Sequence, residues 1–161
     1  MKQYLRAHRQ NILAMLIVLT ICFIWGNSLL PPELSGRISQ AVTELLGMDG
    51  IGATDEHPNG ETMVRKMVHF VEFAVLGVLL RLYLICRNPD RVSALCFYSI
   101  CGLFFPLMDE TLQTFSNRGA SISDVWLDIG GYVFGVVACI VACSVITRIK
   151  RGRCRGREVR T

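Results

Sequence analysis

Charged residues are scarce in this sequence, and long stretches of it contain none. Only 19% of the 161 residues are charged, 52% are hydrophobic, and the mean hydropathy is +0.41. This composition argues against an ordinary soluble domain and favours an integral membrane protein. Cysteine is absent from the polar segments 31–66 and 111–124, where an extracytoplasmic disulfide would have to form, so we expect free thiols.

Basic residues are not spread over the chain as a nucleic-acid-binding surface would require. The formal net charge is +4, but seven of the 17 Lys and Arg residues lie between Arg148 and Arg160. The basicity therefore belongs to a tail, residues 148–161, and we expect no nucleic-acid partner.

Four runs with few or no charges are long enough to cross a bilayer, whose apolar core needs about 20 helical residues. They predict membrane spans at approximately residues 11–30, 67–86, 93–110 and 125–147. No small-residue cleavage site follows the first run, which favours an uncleaved span over a signal peptide. We therefore predict an all-α integral membrane protein that forms a single four-helix bundle domain over residues 1–161.

The distribution of Lys and Arg predicts how the chain sits in the cell membrane. Short flanking segments rich in these residues stay in the cytoplasm. Such segments are residues 1–10, 87–91 and 148–161. Residues 33–61 instead hold six acidic residues against Arg37 alone. We therefore expect cytoplasmic N- and C-termini and an extracytoplasmic loop over residues 31–66.

Within this loop, apolar residues between Leu34 and Leu46 recur at helical spacing. They predict a short amphipathic helix that lies on the outer leaflet. The residues that follow are rich in Gly and polar side chains, so we expect Asp55, Glu56 and His57 to be solvated rather than to bind a metal.

Ionisable residues gather at matching ends of the predicted helices. Each costs about 2.5 to 3.5 kcal/mol within a span on insertion scales, so such residues normally face a bundle interior or a wet cavity and mark function. The candidate functional site is an outward-facing group made of Lys66, His69, Glu72, Asp109, Glu110, Gln113, Arg118, Ser123, Asp124 and Asp128. Gly131 and Gly135 follow on one stripe of the last helix, where small residues permit close helix packing.

A purely structural role for this group is an alternative. Lys66 and Arg118 could pair with the acids and hold the helices together without any chemistry. The group contains five carboxylates against two permanent cations, however, so some carboxylates should hold a proton or meet a cation. The first-span residues Thr20 and Asn27 are expected to lie outside the site.

Three blocks of the sequence resemble VanZ-like membrane proteins. They are Lys66-x-x-His69-Phe70-x-Glu72-Phe73-x-x-Leu76-Gly77, Asp109-Glu110-x-x-Gln113-x-Phe115-x-x-Arg118 and Ser121-x-Ser123-Asp124-x-x-x-Asp128-x-x-Gly131-x-x-x-Gly135. Phe73 and Asp128 stand where Tyr and Asn are common in that family. Phe73 cannot supply a hydroxyl to a proton relay, whereas Asp128 adds an acid that favours a cation or a shared proton.

The namesake of the family is associated with resistance to teicoplanin. By resemblance, this chain is expected to be a cell-envelope protein that reduces susceptibility to teicoplanin-type lipoglycopeptides. Its expected partners are membrane lipids and a lipid-linked envelope precursor or the lipoglycopeptide itself.

Three kinds of function fit an outward-facing polar site. The first is a binding protein for a lipid-linked or amphiphilic ligand. The second is a membrane enzyme that acts on a lipid head group with His69 as general acid or base, although no nucleophile elbow or HExxH motif is present. The third is a small transporter, which four spans would form only by oligomerising. We favour the non-enzymatic protein and expect no cofactor, although the acidic residues leave room for a divalent cation.

Overall fold

The computed structural model of the protein describes residues 2–31, the single positions 34, 37 and 41, and residues 61–116 and 121–158. In these parts of the chain the regular elements are helices. They are α1 (Lys2–Ser28), α2 (Glu61–Arg87), α3 (Arg91–Phe115) and α4 (Ile122–Glu158). The predicted all-α fold with four long helices is confirmed. The amphipathic helix predicted between Leu34 and Leu46 falls almost wholly outside the described residues and stays a prediction.

All four helices are long and apolar enough to cross a membrane. Their apolar spans are Tyr4–Ser28, Arg65–Arg87, Arg91–Phe115 and Ile122–Arg151. The shortest has 23 residues and therefore extends about 35 Å, which exceeds the roughly 30 Å thickness of the hydrocarbon core. Large apolar side chains such as those of Val92 and Leu95 point away from the bundle, as lipid-facing residues do. The chain is thus a multi-pass membrane protein.

A three-residue turn connects α2 to α3. Asn88 adopts a left-handed backbone conformation (φ 54°), and its N–H donates to the Leu84 carbonyl at 2.8 Å, which ends α2. Pro89 follows and cannot extend the helix. Asp90 caps α3: its carboxylate accepts hydrogen bonds from the Ser93 hydroxyl (2.6 Å) and the Ser93 amide (2.9 Å). These two bonds hold the pKa of Asp90 below its usual value.

Among the described helices, α2 and α4 make the most extensive contact. A Cβ atom at Gly131 would overlap the Phe70 carbonyl, and one at Gly135 would overlap the Ala74 carbonyl. Gly77 does the same on α2, where a Cβ atom would overlap the backbone of α4. Small residues on both helices therefore bring the two backbones into direct contact.

An apolar core fills the centre of the bundle. It includes Ile17, Ile24, Phe73, Leu76, Leu80, Cys101 and Tyr132. Because successive helices run in opposite directions, the last turns of α1 and α3 lie beside the first turns of α2 and α4. The polar side chains described next occupy this end of the bundle.

Candidate functional site

Seven polar or charged side chains are buried in the part of the chain that the structure describes, and all lie at this end of the bundle. They are Ser28, His69, Glu72, Asp109, Glu110, Gln113 and Asp128, here called the polar cluster. Asp109 on α3 and Asp128 on α4 are 0% and 2% exposed. Such deep burial of carboxyl groups requires partners that compensate for the lost hydration.

Asp109 is the most fully engaged carboxylate of the polar cluster. Its Oδ1 accepts a hydrogen bond from the Ser28 hydroxyl at 2.6 Å, and its Oδ2 accepts one from the Gln113 side-chain amide at 2.8 Å. Gln113 lies one turn further along the same helix, whereas Ser28 comes from the end of α1. These two bonds fix the orientation of the carboxylate and connect the first helix to the site.

His69 on α2 lies between two carboxylates. Its Nδ1 is 3.7 Å from Glu72 Oε2 and 3.7 Å from Asp109 Oδ2, and the side chain is buried. Both distances are longer than a hydrogen bond but short enough for electrostatic interaction when the imidazole is protonated. One ligand atom each of His69, Asp109 and Asp128 lies within 4.8 Å of the others. Three helices therefore deliver imidazole and carboxylate groups to one small volume.

Two glutamates complete the interior of the polar cluster. Glu72 Oε1 accepts a hydrogen bond from the Asn27 side-chain amide at 3.1 Å, and Glu110 Oε1 accepts one from the backbone N–H of Ser121. The second oxygen of each, Oε2, is buried and has no hydrogen-bond partner among the described residues. Each glutamate thus presents one oxygen that a ligand could engage.

The remaining predicted site residues lie at the rim or beyond the described chain. Lys66 Nζ forms an ion pair with Asp124 Oδ1 at 2.9 Å, and both side chains are partly exposed. Ser123 is exposed, and its hydroxyl is 2.7 Å from that of Ser121. Arg118 lies outside the described residues. The structure thus separates a rim, where Lys66 pairs with Asp124, from the polar cluster inside.

Sequence reasoning missed the contribution of α1. Asn27 was expected to lie outside the site, yet its amide binds Glu72, and the neighbouring Ser28 binds Asp109. The Ser116 hydroxyl also donates to the Ser28 carbonyl at 2.9 Å. Thr20 is partly exposed, and its hydroxyl donates to Leu16 of its own helix. Adjacent polar residues at the end of an apolar run, just before Pro31, were the available signal.

The interior of the polar cluster is acidic. Four carboxyl groups accompany one histidine. Four ionised carboxylates in an environment of low dielectric constant require partners that compensate for their lost hydration. The site therefore suits protons, a metal cation, or a ligand that brings positive charge or hydrogen-bond donors.

An apolar groove of about 540 Å³ runs along α3 and α4. Its lining includes Tyr98, Gly102, Ile129, Tyr132 and Val137. Gly102 precedes Asp109 by two helical turns, and Ile129 directly follows Asp128. A polar site and an apolar groove therefore share the same two helices.

A known protein family matches most of this chain. The model of the VanZ/LLP1 family matches residues 12–144. This range contains the whole polar cluster and ends before the basic tail. No curated protein and no solved structure matches the chain.

Proposed function

The chain belongs to the VanZ/LLP1 family, and from that membership and its polar cluster we propose that it binds an amphiphilic ligand of the cell envelope. Through this binding it lowers susceptibility to teicoplanin-type lipoglycopeptides. The polar cluster receives the head of the ligand, and the apolar groove receives its tail.

The observation that carries this proposal is an apolar groove on α3 and α4, the two helices that also carry Asp109 and Asp128. On α4 the groove extends from Ile129, the residue after Asp128 in the sequence, to Ile140, and we propose that a ligand with its head at the polar cluster places its tail there. A volume of about 540 Å³ is within the usual range of ligand pockets. The helices that form the groove are membrane spans, which suits an acyl or prenyl chain already dissolved in the bilayer.

The charge of the polar cluster defines the head group. Lys66 pairs with Asp124 at the rim, so the ionisable groups inside the polar cluster are carboxyls and one imidazole. These favour amine, ammonium and hydroxyl groups, each of which can donate to a buried carboxylate oxygen. Glu72 and Glu110 each contribute one such oxygen.

The proposed orientation follows from the basic segments. The N-terminal segment, the turn between α2 and α3, and the tail are rich in Lys and Arg and lie in the cytoplasm under the positive-inside rule. The polar cluster is at the other end of every helix and opens towards the outer leaflet. An envelope amphiphile would reach it from outside without crossing the membrane.

Filling the groove tests this proposal. Val137 lines the groove, whereas Val141, one turn further along α4, is similarly exposed but does not line it. We expect Val137→Trp to abolish protection against teicoplanin in a susceptible host, because the indole occupies the space of the tail. Val141→Trp should leave protection intact at equal membrane abundance.

One result of the groove experiment would contradict the proposed function. Equal protection by Val137→Trp and Val141→Trp would show that no tail uses the groove. A glycopeptide without an acyl chain provides a further comparison, because the proposal assigns a role to the amphiphilic character of the ligand.

An enzymatic function is the second candidate, and the position of His69 favours it. An imidazole between Glu72 and Asp109 is a suitable general acid or base. Purified protein in bilayer discs, incubated with envelope lipids, should then release a modified head group, and His69→Gln should stop this turnover. Stoichiometric binding without product supports the binding function instead.

A further inference from the structure

We propose that Arg81 of α2 binds the phosphate of an anionic phospholipid, at the end of the bundle opposite the polar cluster. Under the proposed orientation this lipid belongs to the inner leaflet. The inference does not depend on the proposed function. It rests on a permanent cation inside a membrane span and on the hydrogen bonds that its guanidinium makes and leaves unmade.

Arg81 lies within a membrane span and not at its end. It precedes the last residue of α2, Arg87, by about one and a half turns, or about 9 Å. Its partner Tyr98 lies about two turns into α3, which begins at Arg91. A permanent charge at this depth is costly, so such residues normally meet an opposite charge or a ligand.

The described partners of Arg81 are a hydroxyl and a thiol. Its Nη1 donates a hydrogen bond to the Tyr98 hydroxyl at 3.2 Å, and the Cys139 thiol of α4 lies close enough to interact electrostatically. No carboxylate of the described residues forms an ion pair with Arg81. Asp90, the acid in the turn at this end of the bundle, is engaged by Ser93. The described chain thus provides no counter-ion for this guanidinium.

The bond to Tyr98 leaves one edge of the Arg81 guanidinium unused. Nε is buried and has no hydrogen-bond partner among the described residues. Together with Nη2 it forms a planar pair of donors, which matches two oxygens of a phosphate. The side chain as a whole is partly exposed, so a small rotation would present this edge to an anion at the surface of the bundle.

The surroundings of this site favour a lipid as the source of the phosphate. Ile85, Val92 and Leu95 at this end of the bundle are exposed and apolar, as expected of a surface covered by lipid. Arg87 and Arg91 flank the same end and attract anionic head groups. A basic pocket between spans near the cytoplasmic side is typical of head-group sites. A zwitterionic lipid fits less well, because its own cation already compensates its phosphate.

Lipid binding by the full-length protein tests this site. The protein is purified in detergent and mixed with dioleoylphosphatidylglycerol or dioleoylphosphatidylcholine, and native mass spectrometry measures the bound lipid. We expect the wild type to bind a first phosphatidylglycerol more tightly than further copies and more tightly than phosphatidylcholine. Arg81→Gln should weaken this first binding about tenfold, which corresponds to about 1.4 kcal/mol.

Arg87→Gln is the matched control. Arg87 lies on the same helix, and its Nη1 also donates to a tyrosine hydroxyl, that of Tyr83, at 3.3 Å, but this pair is exposed. Its variant should keep the preference for phosphatidylglycerol. Arg81→Lys keeps the charge without the planar edge, so it should bind the lipid with intermediate affinity. Phosphatidylglycerol should raise the unfolding temperature of the wild type and of Arg87→Gln more than that of Arg81→Gln, because a lipid that binds the folded state stabilises it.

Two results would overturn the proposal. One is equal binding of phosphatidylglycerol by Arg87→Gln and by the folded variants of Arg81, which would leave Arg81 as a structural partner of Tyr98. The other is displacement of the first lipid by an excess of inorganic phosphate, which would assign the site to a free anion.

Discussion

Ser28 holds the end of α1 against the polar cluster, so replacing it by Ala should destabilise the bundle. The hydroxyl is fully buried and donates to Asp109 Oδ1 at 2.6 Å. Interhelical hydrogen bonds in membrane proteins contribute about 0.6 kcal/mol on average and about 1.7 kcal/mol at most. A carboxylate acceptor places this bond at the strong end of that range. We therefore expect Ser28→Ala to lower the free energy of unfolding by about 1.5 kcal/mol.

Ser144→Ala provides a matched control for this prediction. The Ser144 hydroxyl is exposed on α4 and donates to Ile140 of its own helix. Its loss should change the free energy of unfolding by less than about 0.5 kcal/mol. The assay is reversible unfolding in mixed micelles, followed by circular dichroism. Equal unfolding curves for the two variants would refute the claim that Ser28 docks α1 through Asp109.

Three further predictions concern packing, topology and the tail. Gly135→Ala should cost about 1 to 3 kcal/mol in the same unfolding assay, because its methyl group would overlap the backbone of α2. Gly26→Ala, which meets no atom within 4 Å, should be neutral or slightly stabilising, and the reverse order would contradict this packing. A reporter fused after Arg160 should be cytoplasmic and one inserted near Gly52 extracytoplasmic. The opposite reporter locations would place the polar cluster on the cytoplasmic side of the membrane. Truncation after Ile149 should preserve teicoplanin protection at normal membrane abundance; complete loss would mean that the tail recruits a partner.

The helices themselves were predictable from the sequence because a membrane places a strong constraint on composition. A bilayer requires about 20 consecutive apolar residues for each span, and such runs are conspicuous. The common depth of His69, Asp109 and Asp128 was also predictable, since each lies near a helix end and consecutive helices are antiparallel. These inferences depend only on counting along the chain.

Side-chain partners were harder to predict. Helical spacing groups Lys66 with His69, yet Lys66 reaches Asp124 at the rim while His69 faces Asp109 inside. The rotation of each helix and the rotamer of a long side chain decide such pairs, and neither follows from spacing.

The role of α1 shows a second limit of sequence reasoning. Asn27 and Ser28 are uncharged, and a single amide or hydroxyl near the end of a span is unremarkable by itself. Their importance follows from the carboxylates that lie opposite them in the folded bundle. The same limit applies to Gly77. Only the close approach of α4 in the folded bundle shows that this position has no room for a Cβ atom.

In the proposed function, the polar cluster acts on a ligand and does more than hold the helices together. The most direct test is teicoplanin protection per membrane-inserted chain for His69→Gln and Glu110→Gln, with Thr20→Val as the control in α1. We expect both cluster variants to lose protection while their membrane abundance stays near that of the wild type and of Thr20→Val. Protection that falls only in proportion to abundance would contradict it and leave the polar cluster as a structural ion network.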